Sequence, residues 1–174
     1  TLSTSQVVSD AATANGCPVI LTPGGEGNVM DAMIAEGAVI GGEGNGGVIL
    51  PTVDPGRDAA VGMALVLEAM ARSRQPLYRM VGRLPRYVIE KRKVSDVDVQ
   101  DQQRAIRRLL EAYPSAERRP VEDGVKLYID GPRRCPWIHL RPSNTEPVVR
   151  IIAESESRDQ AVELCDRAQE GLQG

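Results

Sequence analysis

The stretch RSRQPLYRMVGRLPR, residues 72–86, constrains the fold most strongly. Pro76, Gly82 and Pro85 interrupt any regular helix or strand across it. The hydrophobic rhythm differs on its two sides. A chain of 174 residues has room for one ordinary domain or two small ones. The break argues for two: residues 1–75, a linker at 76–86, and residues 87–174.

The first part alternates helix with short apolar runs. Ser3 to Ala14 reads as a helix with Val7, Val8, Ala11 and Ala12 on one side, stopped by Asn15-Gly16. CPVILT, residues 17–22, reads as a buried strand. A helix from Val29 to Glu36, a strand at 38–40 and a strand at VILP follow. Asp54-Pro55 has the form of a helix start, and a helix over 55–73 would be apolar nearly all round, which predicts deep burial. Such alternation predicts a parallel α/β sheet. The pattern opens on a helix with no strand before it, as if the domain were cut part-way.

The second part has another rhythm. A strand is expected near 87–94 and a helix over 99–112 with Ile106, Leu109, Leu110 and Tyr113 on one face. Strands near 125–129, 135–140 and 147–153 come next. A last helix carries Ala161, Leu164, Cys165, Ala168 and Leu172 at helical spacing. This is the pattern of an α+β domain with an antiparallel sheet.

Composition narrows the function. Aromatic residues are 3% and Phe is absent, so the cores must be aliphatic. A net charge of −3 gives no global field for nucleic acid or an anionic membrane. No apolar run approaches the ~20 residues a membrane helix needs, and TLSTSQVV lacks the features of a signal peptide. Three distant cysteines, one His and no CxxC argue against a disulfide framework or zinc site, and for a reducing cytoplasm.

Two loops carry the polar chemistry. GGEGNGG, residues 41–47, contains Gly42-x-Gly44-x-x-Gly47. A dinucleotide site would need a helix after it, and VILP follows instead. The loop is then either a plain turn with Glu43 in solvent, or one whose glycines let backbone approach a ligand. In the second case Glu43 and Asn45 suit vicinal sugar hydroxyls. RPSNTEP, residues 141–147, is the complement. Arg141 offers a fork that matches phosphate, and Ser143, Asn144 and Thr145 add donors between Pro142 and Pro147. The alternative is a capped turn whose side chains bond their own backbone. The eight basic residues between Arg72 and Lys93 read as a solvated or interdomain surface, since only Tyr78 and Tyr87 could stack on bases. Asp96, Asp98 and Asp101 resemble a metal triplet but lie where a helix begins. His139 reads as structural.

GGEGNGG followed about a hundred residues later by RPSNTEPVVR resembles the C-terminal half of an alpha-D-phosphohexomutase, the family of phosphoglucomutases, phosphomannomutases and phosphoglucosamine mutases. GRDAAVGMALVLEAMA, between the loops, resembles the helix closing that family's third domain. The resemblance covers essentially the whole chain. It implies an incomplete doubly wound α/β third domain followed by a TATA-binding-protein-like α+β fourth domain. It implies interconversion of hexose 1-phosphate and 6-phosphate via a phosphoserine and a bisphosphorylated intermediate. Glu43 and Asn45 would then contact the sugar, with Gly25 and Glu26 in a second loop beside it. Arg141, Ser143, Asn144 and Thr145 would hold the phosphate, with Arg150 assisting.

Many members have Ser at the position of Asn45 and His at that of Gly47. The Ser-His-Asn-Pro type loop and the aspartate-rich Mg2+ loop of the family are absent here, so no catalytic residue and no metal are assigned to this chain. The expectation is a C-terminal fragment, inactive alone, whose missing N-terminal domains carry the chemistry. Its expected partner is a phosphosugar, with neither nucleic acid nor membrane. Phosphoglucosamine mutase is an alternative within the family. A non-catalytic module that binds a phosphorylated ligand is the alternative outside it.

Overall fold

A computed structural model describes residues 1–121, 124–131, 134–143 and 148–173. The chain forms two compact units, Thr1–Pro85 and Arg86–Gly174.

The first unit contains α1 (Gln6–Ala14), α2 (Glu26–Glu36), β1 (Gly41–Gly42), β2 (Val48–Leu50), β3 (Asp54–Arg57), α3 (Ala59–Ser73) and α4 (Leu77–Val81). Ser5 caps α1, its hydroxyl accepting from the Val7 amide at 3.2 Å. Gly37, at φ 65°, closes α2 in the left-handed conformation. The strands pair antiparallel in the order β1-β2-β3. A small core of Val29, Met33 and Ile49 joins α2 to β2.

Several expectations for this unit are corrected. The expected parallel pairing is not formed among the described strands. Residues 17–22 and 38–40 belong to no strand, and Ile20, Val39 and Ile40 are exposed. An apolar run becomes a strand only when neighbours supply its ladder, and neither segment has them. The first residues reach the end of the first segment and strand β1: the Leu2 amide donates to the Thr22 carbonyl at 2.8 Å, and the Thr1 amino group to the Gly42 carbonyl at 3.3 Å. Asp54-Pro55 starts no helix and belongs to β3. The Asp54 carboxylate accepts from the Gly56 amide at 2.6 Å, which closes a local turn. The helix starts at Ala59, capped by Asp58, which accepts from Ala60 and Val61. Deep burial of α3 is also corrected. None of its residues is buried, and Met63 and Leu67 are each 63% exposed. The helix packs on β2 through Gly62, whose Cα faces Val48. Residues 76–86, expected as a linker, contain α4, and the unit runs to Pro85.

The second unit contains β4 (Val88–Ser95), α5 (Val99–Ala112), β5 (Glu117–Val121), β6 (Gly124–Tyr128), β7 (Trp137–Pro142), β8 (Val148–Ser155) and α6 (Arg158–Gln173). Its strands form one antiparallel sheet in the order β4-β8-β7-β6-β5. Alternate residues of β6, β7 and β8, among them Leu127, Ile138, Leu140, Val149 and Ile151, share a core with Val94 of β4, Ala105, Ile106 and Leu109 of α5 and Leu164, Cys165 and Leu172 of α6. Asp98 and Asp101 form a reciprocal capping box at the start of α5. Strand β5 was not expected. Its sequence, ERRPV, has no apolar alternation, and Pro is tolerated because the strand is at the sheet edge.

Candidate functional site

The GGEGNGG turn connects β1 to β2. The Glu43 amide donates to the Gly47 carbonyl at 3.0 Å, and the Gly46 amide to the Glu43 carbonyl at 3.1 Å. Gly46 has φ 97°, a conformation that glycine adopts without penalty. A Cβ on Gly42 would stand 2.6 Å from the Gly47 carbonyl oxygen, so the two arms of the hairpin close only without a side chain there.

This hairpin, the N-terminus of α2 and the end of β3 bring four expected residues together. Glu43 Oε1 accepts from the Gly25 amide at 3.2 Å. Asn45 donates to Glu43 Oε2 at 3.5 Å and accepts from the Gly47 amide at 3.1 Å. Glu26 accepts from the Arg57 backbone amide at 2.7 Å and from its Nε at 2.8 Å. The Glu43 side chain is only 13% exposed, so the solvent-facing alternative for this residue does not hold. Its carboxylate is held by backbone and cation, with lone pairs left for further donors.

Arg57 was missed. Its guanidinium joins Glu26 to Glu43, with Nη1 3.1 Å from Glu43 Oε2. The Arg57 amide, then its guanidinium, holds the Glu26 carboxyl below the usual range. The only sequence signal for Arg57 was its place shortly before the α3 cap, and nothing local connects it to residues 14 and 31 positions away.

The second loop follows β7. Arg141 lies in β7 with Arg150 of β8 as its direct cross-strand partner. Two like charges in that position repel one another. The Ser143 amide donates to the Val148 carbonyl at 2.9 Å, closing the base of the loop. Asn144 and Thr145 lie outside the described residues.

Comparison with known proteins decides what these loops belong to. Residues 1–87 match the family model for phosphoglucomutase/phosphomannomutase, alpha/beta/alpha domain III. Residues 91–170 match that for the phosphoglucomutase/phosphomannomutase C-terminal domain. The chain belongs to the phosphoglucomutase/phosphomannomutase family. Its relatives include a phosphoglucomutase/phosphomannomutase of Thermococcus kodakarensis, 33% identical over 170 residues, which are 95% of this chain and 35% of the relative. A phosphoglucosamine/phosphogalactosamine mutase of Sulfurisphaera tokodaii is 28% identical over 174 residues, 99% of this chain and 37% of the relative. The fold matches a phosphoglucomutase/phosphomannomutase family protein of Burkholderia thailandensis with a TM-score of 0.73 at 22% identity, covering 95% of this chain and 34% of that one. The chain therefore spans about a third of the length of these relatives, over the third and C-terminal domains of the family.

The magnesium that the resemblance implies does not fit Asp98 and Asp101. Asp98 Oδ1 accepts from the Asp101 amide at 2.8 Å, Asp101 Oδ2 from the Asp98 amide at 3.1 Å, and Asp101 also pairs with Arg104. These carboxylates are committed to the helix cap. No group of three or more His, Cys, Asp or Glu among the described residues is arranged to hold a metal. His139 is fully buried in β7. Cys17, Cys135 and Cys165 are free thiols, and no helix among the described residues is long and apolar enough to cross a membrane.

Proposed function

We propose that this chain is the phosphosugar-binding part of a phosphohexomutase that interconverts hexose 1-phosphate and hexose 6-phosphate. The observation that carries the reading is the Arg141–Arg150 pair at the base of the RPSNTEP loop. Two arginines at one cross-strand position offer two planar forks, a geometry that matches phosphate oxygens. The hairpin supplies the complement: a carboxylate and an amide, suited to neutral hydroxyls and unsuited to phosphate. Gly25 and Glu26 stand beside Glu43, which supports a role for that second loop at the sugar. Ser143, Asn144 and Thr145 would add donors to the phosphate.

In this reading the phosphoserine, the Mg2+ and the passage through a bisphosphorylated intermediate belong to domains outside this chain. The fragment recognises and does not transfer. The three free cysteines support a place in the reducing cytoplasm.

The names of relatives favour a second substrate. Those of Sulfurisphaera tokodaii and Rubrobacter xylanophilus are named for phosphoglucosamine. An ammonium on the sugar would find Glu43 and Glu26 close together, with Arg57 as the cation of that cluster.

A coupled mutase assay on the 174-residue chain and on the full-length protein tests the proposal. We expect turnover only from the full-length protein, with Arg141→Ala raising KM for the hexose phosphate far more than it lowers kcat. Unchanged kinetics in Arg141→Ala would remove the phosphate role. Parallel assays with glucose 1-phosphate and glucosamine 1-phosphate choose between the substrates.

A further inference from the structure

We infer that Gly47 is a positioning residue for sugar recognition: its bare Cα is the seat of the Arg57 side chain, and Arg57 placed there sets the Glu43 carboxylate. The inference rests on the sugar-binding reading of the hairpin.

A position can require glycine for its conformation or for its room. Gly47 is not in the left-handed region, unlike its neighbour Gly46, so backbone conformation does not require glycine there. Room does. A Cβ at 47 would stand 2.5 Å from Arg57 Cδ and 3.1 Å from its Cγ. The strand register explains the overlap. Arg57 of β3 opposes Ile49 of β2, and Gly47 comes two residues before Ile49, a diagonal that long side chains reach. Lying across Gly47, the guanidinium has Nε 2.8 Å from Glu26 Oε2 and Nη1 3.1 Å from Glu43 Oε2. Gly56 leaves room on the other side. A Cβ there would stand 3.2 Å from Glu26 Oε1, the oxygen that accepts from the Arg57 amide at 2.7 Å.

This placing decides what a side chain at 47 would displace. The obstructed atoms belong to a flexible side chain that is 45% exposed, so Arg57 swings out and the hairpin stays. Gly42 is the opposite case, because its obstruction is a backbone oxygen. With Arg57 gone, Glu43 keeps the Gly25 amide at 3.2 Å but loses its cation. Its oxygens are then free to turn from the direction in which a sugar hydroxyl would meet them. An ion pair with an exposed arginine adds little to folding, so the loss falls on recognition.

The test compares the unaltered 174-residue chain with Gly47→Ala, Arg57→Met, the double variant and Glu43→Gln. Two measurements need no ligand. The NMR signal of the Arg57 Nε–H group, which Glu26 holds, should be lost to exchange in Gly47→Ala. The Glu26 carboxyl, kept low by the Arg57 amide first and the guanidinium second, should titrate higher. Amide exchange at Glu43 and Gly46 should keep its unaltered rate. Binding of glucose 6-phosphate, followed by calorimetry, should weaken roughly tenfold in Gly47→Ala and in Arg57→Met. The double variant should be no weaker than either, where independent effects would multiply to about a hundredfold. An undisturbed Arg57 signal in Gly47→Ala, faster exchange at Glu43 and Gly46, or multiplied losses in the double variant overturns the inference. So does normal binding by Gly47→Ala and Arg57→Met beside weakened binding by Glu43→Gln, and the sugar reading then stands. Normal binding by Glu43→Gln as well, or no binding by the unaltered chain, overturns both.

Discussion

Arg57 Nη1 lies 3.1 Å from Glu43 Oε2, and this contact holds the one carboxylate of the hairpin in place. The same guanidinium binds Glu26 through Nε at 2.8 Å. Removing it leaves two carboxylates close together with no cation between them. Arg57→Met is therefore expected to weaken hexose phosphate binding by roughly tenfold, while inorganic phosphate, which has no sugar to present, should bind as before. Arg57→Lys should recover only part of the loss, because a point charge cannot bridge both partners as the fork does. Equal weakening of both ligands, seen by calorimetry, would show that Arg57 does not act through the sugar hairpin.

The hairpin also depends on a missing side chain. Alanine at Gly42 would put its Cβ 2.6 Å from a backbone oxygen of Gly47, which cannot rotate away. Gly42→Ala should cost about 1–3 kcal/mol and speed amide exchange at Glu43 and Gly46. Gly27 makes the control. It lies in α2, where an added Cβ meets nothing within 4 Å. Gly27→Ala should gain about 0.5–1 kcal/mol by helix propensity. Denaturant titration of the two variants measures the contrast, and equal effects would contradict it.

Local signals were legible in proportion to how far they reach. The stripe on α6 and the cap of α5 at Asp98 and Asp101 involve residues three or four apart, and the expected helices were found. Segment 17–22 looked like a strand because it is apolar, but a ladder requires partners that the segment itself cannot specify. Asp54-Pro55 carried a genuine helix-start signal that lost to an Asx turn and to Glu26, which takes the Arg57 amide from 31 residues away. The site divides in the same way. Glu43, Asn45 and Arg141 are visible as polar residues in stiff or glycine-rich loops. Arg57 is visible only through tertiary contact.

Lys126 predicts a pH dependence. It is buried with its Nζ 3.6 Å from the centre of the Trp137 ring and 5.0 Å from that of Tyr128. Burial pushes its ammonium down to about 7, with Glu154 opposing the shift. An unfolded lysine titrates near 10.4. Between these values the unfolded chain holds a proton that the folded chain has lost, so stability rises with pH. The penalty is fully present below about pH 7 and is relieved toward pH 10. Lys126→Met should be more stable than the unaltered chain at pH 6, and the difference should shrink by up to ~1.4 kcal/mol per pH unit above 7. Urea titrations at several pH values measure it, and parallel stability curves for the two proteins would contradict the assignment.

The two units should differ in stability. In the second, sixteen described residues form one buried cluster between the sheet and two helices, and Gly171 of α6 lies so close to Ala105 of α5 that a Cβ would meet the Ala105 Cα at 2.6 Å. In the first, the buried cluster among the described residues is Val29, Met33 and Ile49, while Ile34, Val39 and Leu67 are 75%, 79% and 63% exposed. Burial of apolar area is the main favourable contribution to folding, so the first unit should open at lower free energy. Hydrogen exchange is expected to be slowest in β7 and β8 and at least tenfold faster in α3, a difference of about 1.4 kcal/mol or more in opening free energy. Gly171→Val should destabilise the second unit by about 1–3 kcal/mol through overpacking and leave α3 exchange unchanged. A single exchange rate common to β8 and α3 would show instead that the chain opens as one cooperative body.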